Sequence, residues 1–150
     1  SYELTAEEGT LNLRSDRRDH LPTGAAGGLP GSPSMSYLNN EGKERLLPVM
    51  PMETVPVSRG ARLLHIAAGG GGYGNPFERE PASVLSDVLD GRITLSFAEN
   101  VYGVAMSADG LSVDTEQTIE LRKQTLSYEE LQARQQKLFM ASNGSLELAL

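Results

Sequence analysis

Two stretches of this sequence hold residue types that could do chemistry. Residues 69 to 74, Gly69-Gly70-Gly71-Gly72-Tyr73-Gly74, satisfy the G-x-G-x-x-G spacing of a dinucleotide-binding turn. Such a turn works because a helix starts within the glycines and points its free amides at a pyrophosphate. Here Asn75-Pro76-Phe77 follows, the next helical pattern starts near Pro81, and no Gly-Lys-Ser/Thr is present. The run is therefore read as a place where two backbones come close, with Gly71 and Gly72 supplying room and positive φ and Tyr73 anchoring the turn by packing.

The second stretch, Asp16-Arg17-Arg18-Asp19-His20, sets two carboxylates beside an imidazole, a donor set for a metal or a proton relay. The two guanidiniums in the same five residues pair more economically with those carboxylates and fix the loop. His65 is the only other histidine and there is no cysteine, so no metal site is assigned. His65 lies in an apolar strand pattern, which favours a core or interface position over chemistry. No serine stands in a nucleophile elbow, and no catalytic residue is assigned. What remains is a set of interface candidates, Asp16, Arg17, Arg18, Asp19 and Tyr73, and a set of backbone-turn glycines, Gly69, Gly70, Gly71, Gly72 and Gly74.

The chain that must position these residues has 150 of them, a common size for one domain, and folding would bury about 70% of its unfolded surface. Leu, Ile, Val and Phe make up 35 residues, a core-poor but ordered composition. Sixteen Gly and eight Pro predict long shaped loops. The net charge of −7 repels nucleic acid and anionic membranes on average. The absence of cysteine suits a reducing compartment, so the cytoplasm is the expected location. The N-terminal residues lack a signal-peptide pattern and no apolar run reaches the roughly 20 residues of a membrane span, so neither export nor insertion is expected.

Alternation predicts strands over Thr10–Arg14, Arg45–Leu47, Thr54–Val57 and Arg62–Ala67, with a core of Leu11, Leu13, Val55, Val57, Leu63, Leu64 and Ile66. Between Ser15 and Ser36, three Pro and four Gly exclude both helix and ladder. So thinly apolar a loop is expected to be ordered by another subunit. In the second half the period changes. Pro81 opens a helix whose stripe is Val84, Leu85, Val88 and Leu89, and Gly91 ends it. Ser96 and Glu99 form a capping box for a second helix ended by Gly103. Val104–Met106 and Leu111–Val113 pair around Asp109-Gly110, Asp114 caps a helix with Ile119 and Leu121, and Ser127 with Glu130 opens a last one carrying Leu131, Leu138 and Phe139. That last helix is thinly apolar and is expected to dock on something else. The fold class is α+β: a small β-rich N-terminal half with long Gly/Pro loops, then short helices and a helical C-terminal tail.

Three segments together resemble one family: Leu13-Arg14-Ser15-Asp16-Arg17-Arg18 with Gly27-Gly28-Leu29-Pro30-Gly31-Ser32-Pro33-Ser34, then Gly69 to Pro76 with Phe77-Glu78-Arg79-Glu80-Pro81, then Val84 to Gly91 with Tyr102-Gly103-Val104. Their order and spacing are similar to the C-terminal end of hydantoinase B and acetone carboxylase large-subunit proteins, over about residues 9–107. The resemblance implies a module over 1–107 and a helical extension over 108–150. In that family the metal-binding and substrate residues lie in an earlier part, so no catalytic group carries over. It further implies a small, non-catalytic structural subunit of an ATP-dependent complex of the acetophenone carboxylase type, which carboxylates an aromatic ketone. The implied partners are larger hydantoinase A-like and hydantoinase B-like subunits, with ATP and a divalent metal bound in those partners and no cofactor in this chain. The competing reading is a free-standing binding or regulatory module whose glycine-rich loop takes a small anion.

Overall fold

A computed structural model describes residues 1–49, 54–124 and 126–143. The fold is α+β. Compactness divides the chain into two units: Ser1–Pro22 with Gly31–Gly70 and the described residues from Ala141, and Thr23–Pro30 with Gly71–Met140. The division expected at 107/108 follows family resemblance, whereas this one follows contacts.

The first unit is built from strands. Its four-stranded antiparallel sheet runs in the order β1 (Tyr2–Glu3), β6 (Arg62–Ile66), β3 (Met35–Asn40), β4 (Lys43–Leu46). A separate pair joins β2 (Glu8–Leu11) to β5 (Val55–Ser58). The central strand β3 is absent from the alternation pattern because Met35, Ser36, Tyr37 and Leu38 are all buried, on both faces of the strand. It turns into β4 through Glu41-Gly42, both at positive φ (54° and 74°), the two-residue hairpin geometry whose twist matches the strands. The strand expected over Thr10–Arg14 runs instead over Glu8–Leu11, its ladder with β5 running from Glu8 opposite Ser58 to Leu11 opposite Val55. Leu13 still packs. The apolar cluster is Leu38, Leu47 and Val55, flanked by Leu11, Leu13, Val57 and Leu63. Leu64 is buried as expected and Ile66 is half-buried.

The second unit is built from helices: α1 (Pro81–Leu89), α2 (Leu95–Tyr102), α3 (Thr115–Arg122) and α4 (Tyr128–Asn143), the last belonging to this unit as far as Met140. A single 3₁₀ turn, Pro76–Glu78, precedes them. Helix α2 serves two clusters, Ala98 packing with Val84 and Val104 and Val101 packing with Leu29 and Leu131. Those residues are three apart and so lie on neighbouring stripes. Of the stripe expected on α1 only Val84 is fully buried, and Leu89 is exposed.

The caps explain where the helices stop and start. Gly103 ends α2 in the left-handed region at φ 60°. Its start is Thr94 rather than the expected Ser96, the Thr94 hydroxyl accepting from Phe97 N at 3.1 Å. A cap must hold extended backbone outside the helix, and Ser96 already lies inside the first turn. Asp114 accepts from Gln117 N at 2.9 Å, and Ser127 and Glu130 form a reciprocal box, Ser127 N donating to Glu130 (2.8 Å) and Glu130 N to the Ser127 hydroxyl (3.2 Å). Around Asp109-Gly110 the expected pairing is reduced to one bridge, Met106 with Val113, because Ser107 and Asp109 take up the intervening amides. Helix α4 is as thinly apolar as read, yet Leu131 and Leu138 pack in the cluster with Leu29, and the Gln135 amide donates to Pro30 O at 2.9 Å. Among the described residues, no helix is long and apolar enough to cross a membrane.

Candidate functional site

The glycine run is shared between the two units, and in each it meets a glycine of the long loop. In the second unit a Cβ on Gly28 would lie 2.2 Å from Gly72 O, and one on Gly71 would lie 2.0 Å from Thr23 O. In the first unit a Cβ on Gly31 would lie 2.0 Å from Gly69 O. Real Cβ atoms do not approach backbone that closely, so glycine is required here by contact. The φ angles correct the sequence reading, since Gly71 and Gly72 are not left-handed and within the run only Gly74 is, at 77°. Gly70 has open space around it.

Hydrogen bonds then take three of the run's amides, which an anion would otherwise draw on. Gly69 N donates to Ser32 O (3.1 Å), Gly72 N to Leu29 O (2.8 Å) and Gly74 N to Ala25 O (3.0 Å). The helix that follows starts at Pro81, beyond the 3₁₀ turn, so its N-terminus lies outside the glycines. The run holds chain to chain, and a phosphate would have to displace those carbonyls. Tyr73 does not anchor the turn by packing: it is 86% exposed, because Ala25 and Tyr73 meet through a backbone bridge that turns the ring outward.

The charged stretch is also held differently from its expected ion pairing. Arg18 reaches backbone, donating to Leu47 O at 2.8 Å and to Ser34 O at 3.4 Å. The Ser34 hydroxyl donates to Asp16 O, and Ser34 N to Arg17 O at 3.1 Å. Among the described residues only Asp16 and Arg17 of this stretch approach as an ion pair, at 3.9 Å and largely exposed, which contributes little. Asp16, Arg17, Asp19 and His20 are exposed, whereas Gly28 to Gly31 are buried. Arg18 and Ser34 thus tie this part of the loop to its own chain. Among the described residues no three His, Cys, Asp or Glu side chains gather as metal ligands.

Two groupings were not legible in the sequence. His65 is exposed rather than in the core, and its Nδ1 lies 2.9 Å from the Ser36 hydroxyl across the β3–β6 pair. Ser36 is fully buried, so that hydroxyl cannot meet a substrate. In the second unit Arg79 bridges Asp87 (2.5 Å) and the Tyr102 hydroxyl (3.3 Å) and lies 5.2 Å above the Tyr102 ring. Burial opposes the Arg79 charge, but Tyr102 and Asp87 outweigh it and hold the guanidinium above its ordinary pKa. Arg122 shows the reverse: burial lowers its pKa, and Glu80 only partly offsets this. Arg79 lies before α1 while Asp87 lies within it, so helical periodicity does not reveal the bridge.

A sequence profile of the Hydantoinase B/oxoprolinase family matches residues 1–76, just over half of the chain, and takes in the loop motif and the glycine run. The chain belongs to the hydantoinase B/oxoprolinase family. The resemblance read from the three motifs therefore holds. Within that family the putative B subunit of a D-/L-hydantoinase from Pseudomonas sp. (strain NS671) is 38% identical over 117 residues, 77% of this chain and 20% of that protein. The acetophenone carboxylase delta subunit of Aromatoleum aromaticum (strain DSM 19018 / LMG 30748 / EbN1) is 43% identical over 56 residues, 37% of this chain and 8% of that one. A solved nucleotide-free structure of acetone carboxylase superposes with a TM-score of 0.51 over 80% of this chain and 21% of its own, at 21% identity, a likeness of fold. This hydantoinase B family chain spans about one fifth of the length of the first of these curated relatives.

Proposed function

We propose that the chain is a non-catalytic structural part of a multisubunit ATP-dependent enzyme of hydantoinase or carboxylase type, with acetophenone carboxylase, acting on an aromatic ketone, as the guiding pattern. The observation that carries the reading is the 38% identity to a protein named as a hydantoinase subunit, joined by the 43% identity to an acetophenone carboxylase subunit. The glycine-lined packing supports it, since it holds the backbone from which Tyr73 stands out, and an exposed aromatic side chain suits an interface anchor. Asp16, Arg17 and Asp19 form a second exposed contact for a partner, while Arg18 holds the loop in place. The partners are larger hydantoinase A-like and B-like subunits, which bind ATP and a divalent metal. The alternative of a free-standing anion-binding loop is disfavoured by the amides of Gly69, Gly72 and Gly74 being already bonded.

The test is affinity purification of the tagged chain from its native host in native buffer, followed by native mass spectrometry. Larger polypeptides in fixed ratio are expected, and Arg17→Glu with Tyr73→Ala should reduce their recovery without changing the circular dichroism of the chain. A monomer of the chain's own mass, or ATP or amide hydrolysis by that monomer, would overturn the proposal.

A further inference from the structure

The second unit contains a cleft of about 560 Å³ between the start of α1 and one face of α3. Its size is in the range of small-molecule sites. Pro81, Ala82 and Val113 supply apolar wall, and Ile119 lies on it 54% exposed, an isoleucine without a cover. At the other end stands Arg122, whose guanidinium is held in one orientation by backbone carbonyls, Nη2 donating to Arg79 O at 2.6 Å and both Nε and Nη2 to Tyr102 O at 3.3 Å. Those acceptors are neutral. Among the described residues Arg122 has no carboxylate at ion-pair distance, and its Nη1 group donates to none of them. Glu80, also on the lining, acts on it only through space, and Lys123 is paired with Glu120 at 2.5 Å. The cleft therefore joins an open apolar wall to one half-buried, pre-oriented cation that has no carboxylate at ion-pair distance among the described residues and that Glu80 only partly offsets through space.

We infer that this cleft binds a small organic acid, its carboxylate on the Arg122 guanidinium and its apolar body against Ile119, Val113 and Ala82. With Nε and Nη2 held by backbone carbonyls, Nη1 is the donor left for a carboxylate oxygen through a charge-assisted bond, and a guanidinium already fixed by other bonds loses no side-chain freedom when the acid arrives. A cation would meet like charge there, and a neutral apolar molecule would leave the guanidinium desolvated with nothing in exchange. The inference is independent of assembly with other subunits.

The experiment is a titration of the isotope-labelled 150-residue chain, followed by methyl and amide NMR, with phenylacetate, its neutral isostere phenylacetamide, and acetate. Phenylacetate should give saturable shifts at the Ile119 and Val113 methyls and at the Arg122 Nε–H. Phenylacetamide, lacking the charge, and acetate, lacking the body, should each bind at least about tenfold more weakly, the size of one charge-assisted hydrogen bond. Arg122→Gln should abolish the shifts. Because Arg122 also ties Arg79 to Tyr102, Ile119→Glu is the deciding variant: it places a negative charge at an exposed position and should abolish binding with the helical spectrum unchanged. Equal binding of phenylacetamide, shifts confined to residues outside the cleft, no saturable shift with phenylacetate, or undiminished binding to a folded Ile119→Glu chain would each overturn the inference.

Discussion

The glycine run and the Asp16–His20 stretch are both irregular, yet opposite means order them. In the run the missing side chains matter: Gly28 meets Gly72, Gly71 meets Thr23 and Gly31 meets Gly69 at distances that exclude a Cβ. In the charged stretch one long side chain does the ordering, Arg18 reaching two carbonyls while Asp16, Arg17 and Asp19 stay in solvent. Backbone packing of the first kind is intolerant at several positions at once, and a guanidinium tether concentrates the sensitivity in one residue. Conspicuous composition therefore marks an ordered place without saying which residue in it matters.

The largest effect should come from adding a methyl group where the backbones touch. Gly28→Ala or Gly71→Ala is expected to cost about 3 kcal/mol or more in urea unfolding, because the clash is with backbone that cannot swing away. Gly70→Ala, with open space around it, should change stability by no more than about 0.5 kcal/mol. Equal costs at Gly70 and Gly71 would show that the run is sensitive to composition alone and would break the contrast.

Next in size is the tether. Arg18→Met keeps the stem and removes the charged donor, so about 1 to 2 kcal/mol should be lost by the same measurement, against about 0.5 kcal/mol or less for Asp19→Asn. If Asp19→Asn costs as much as Arg18→Met, ion pairing orders the loop after all. The same side-chain-to-backbone device recurs at α2. Thr94→Ala should cost about 1 kcal/mol and Ser96→Ala appreciably less, a difference readable by thermal unfolding.

The smallest effect concerns the turn before α3. The Ser107 hydroxyl, and after it the Leu111 amide, hold the Asp109 carboxyl below its ordinary pKa. Since the folded value lies below the unfolded one, its stabilising contribution is complete above the ordinary carboxylate range and is lost as pH falls through the lowered value. Carboxyl-detected NMR should show Asp109 titrating at higher pH in Ser107→Ala than in the native chain. An unmoved titration would mean that the hydroxyl bond does not set the charge.

Sequence alone determined the parts of this protein that depend on local backbone chemistry and on family pattern. Pro81, Gly91, Gly103, Asp114 and the Ser127–Glu130 box bounded helices because caps and terminators act within a few residues of themselves. Three motifs sufficed for the family because their order is a linear property. Tertiary structure decided the rest. Strand β3 is buried on both faces and so shows no alternation, and β2 pairs with β5, a segment far along the chain that no local pattern points to. Which glycines are indispensable depends on carbonyls about 40 residues away in the chain, and Arg18's choice of Leu47 O over the neighbouring carboxylates on one 29 residues away. Tyr73 stands in solvent for the same reason: a residue's type states what it can bind, and only the folded chain states what is left within its reach.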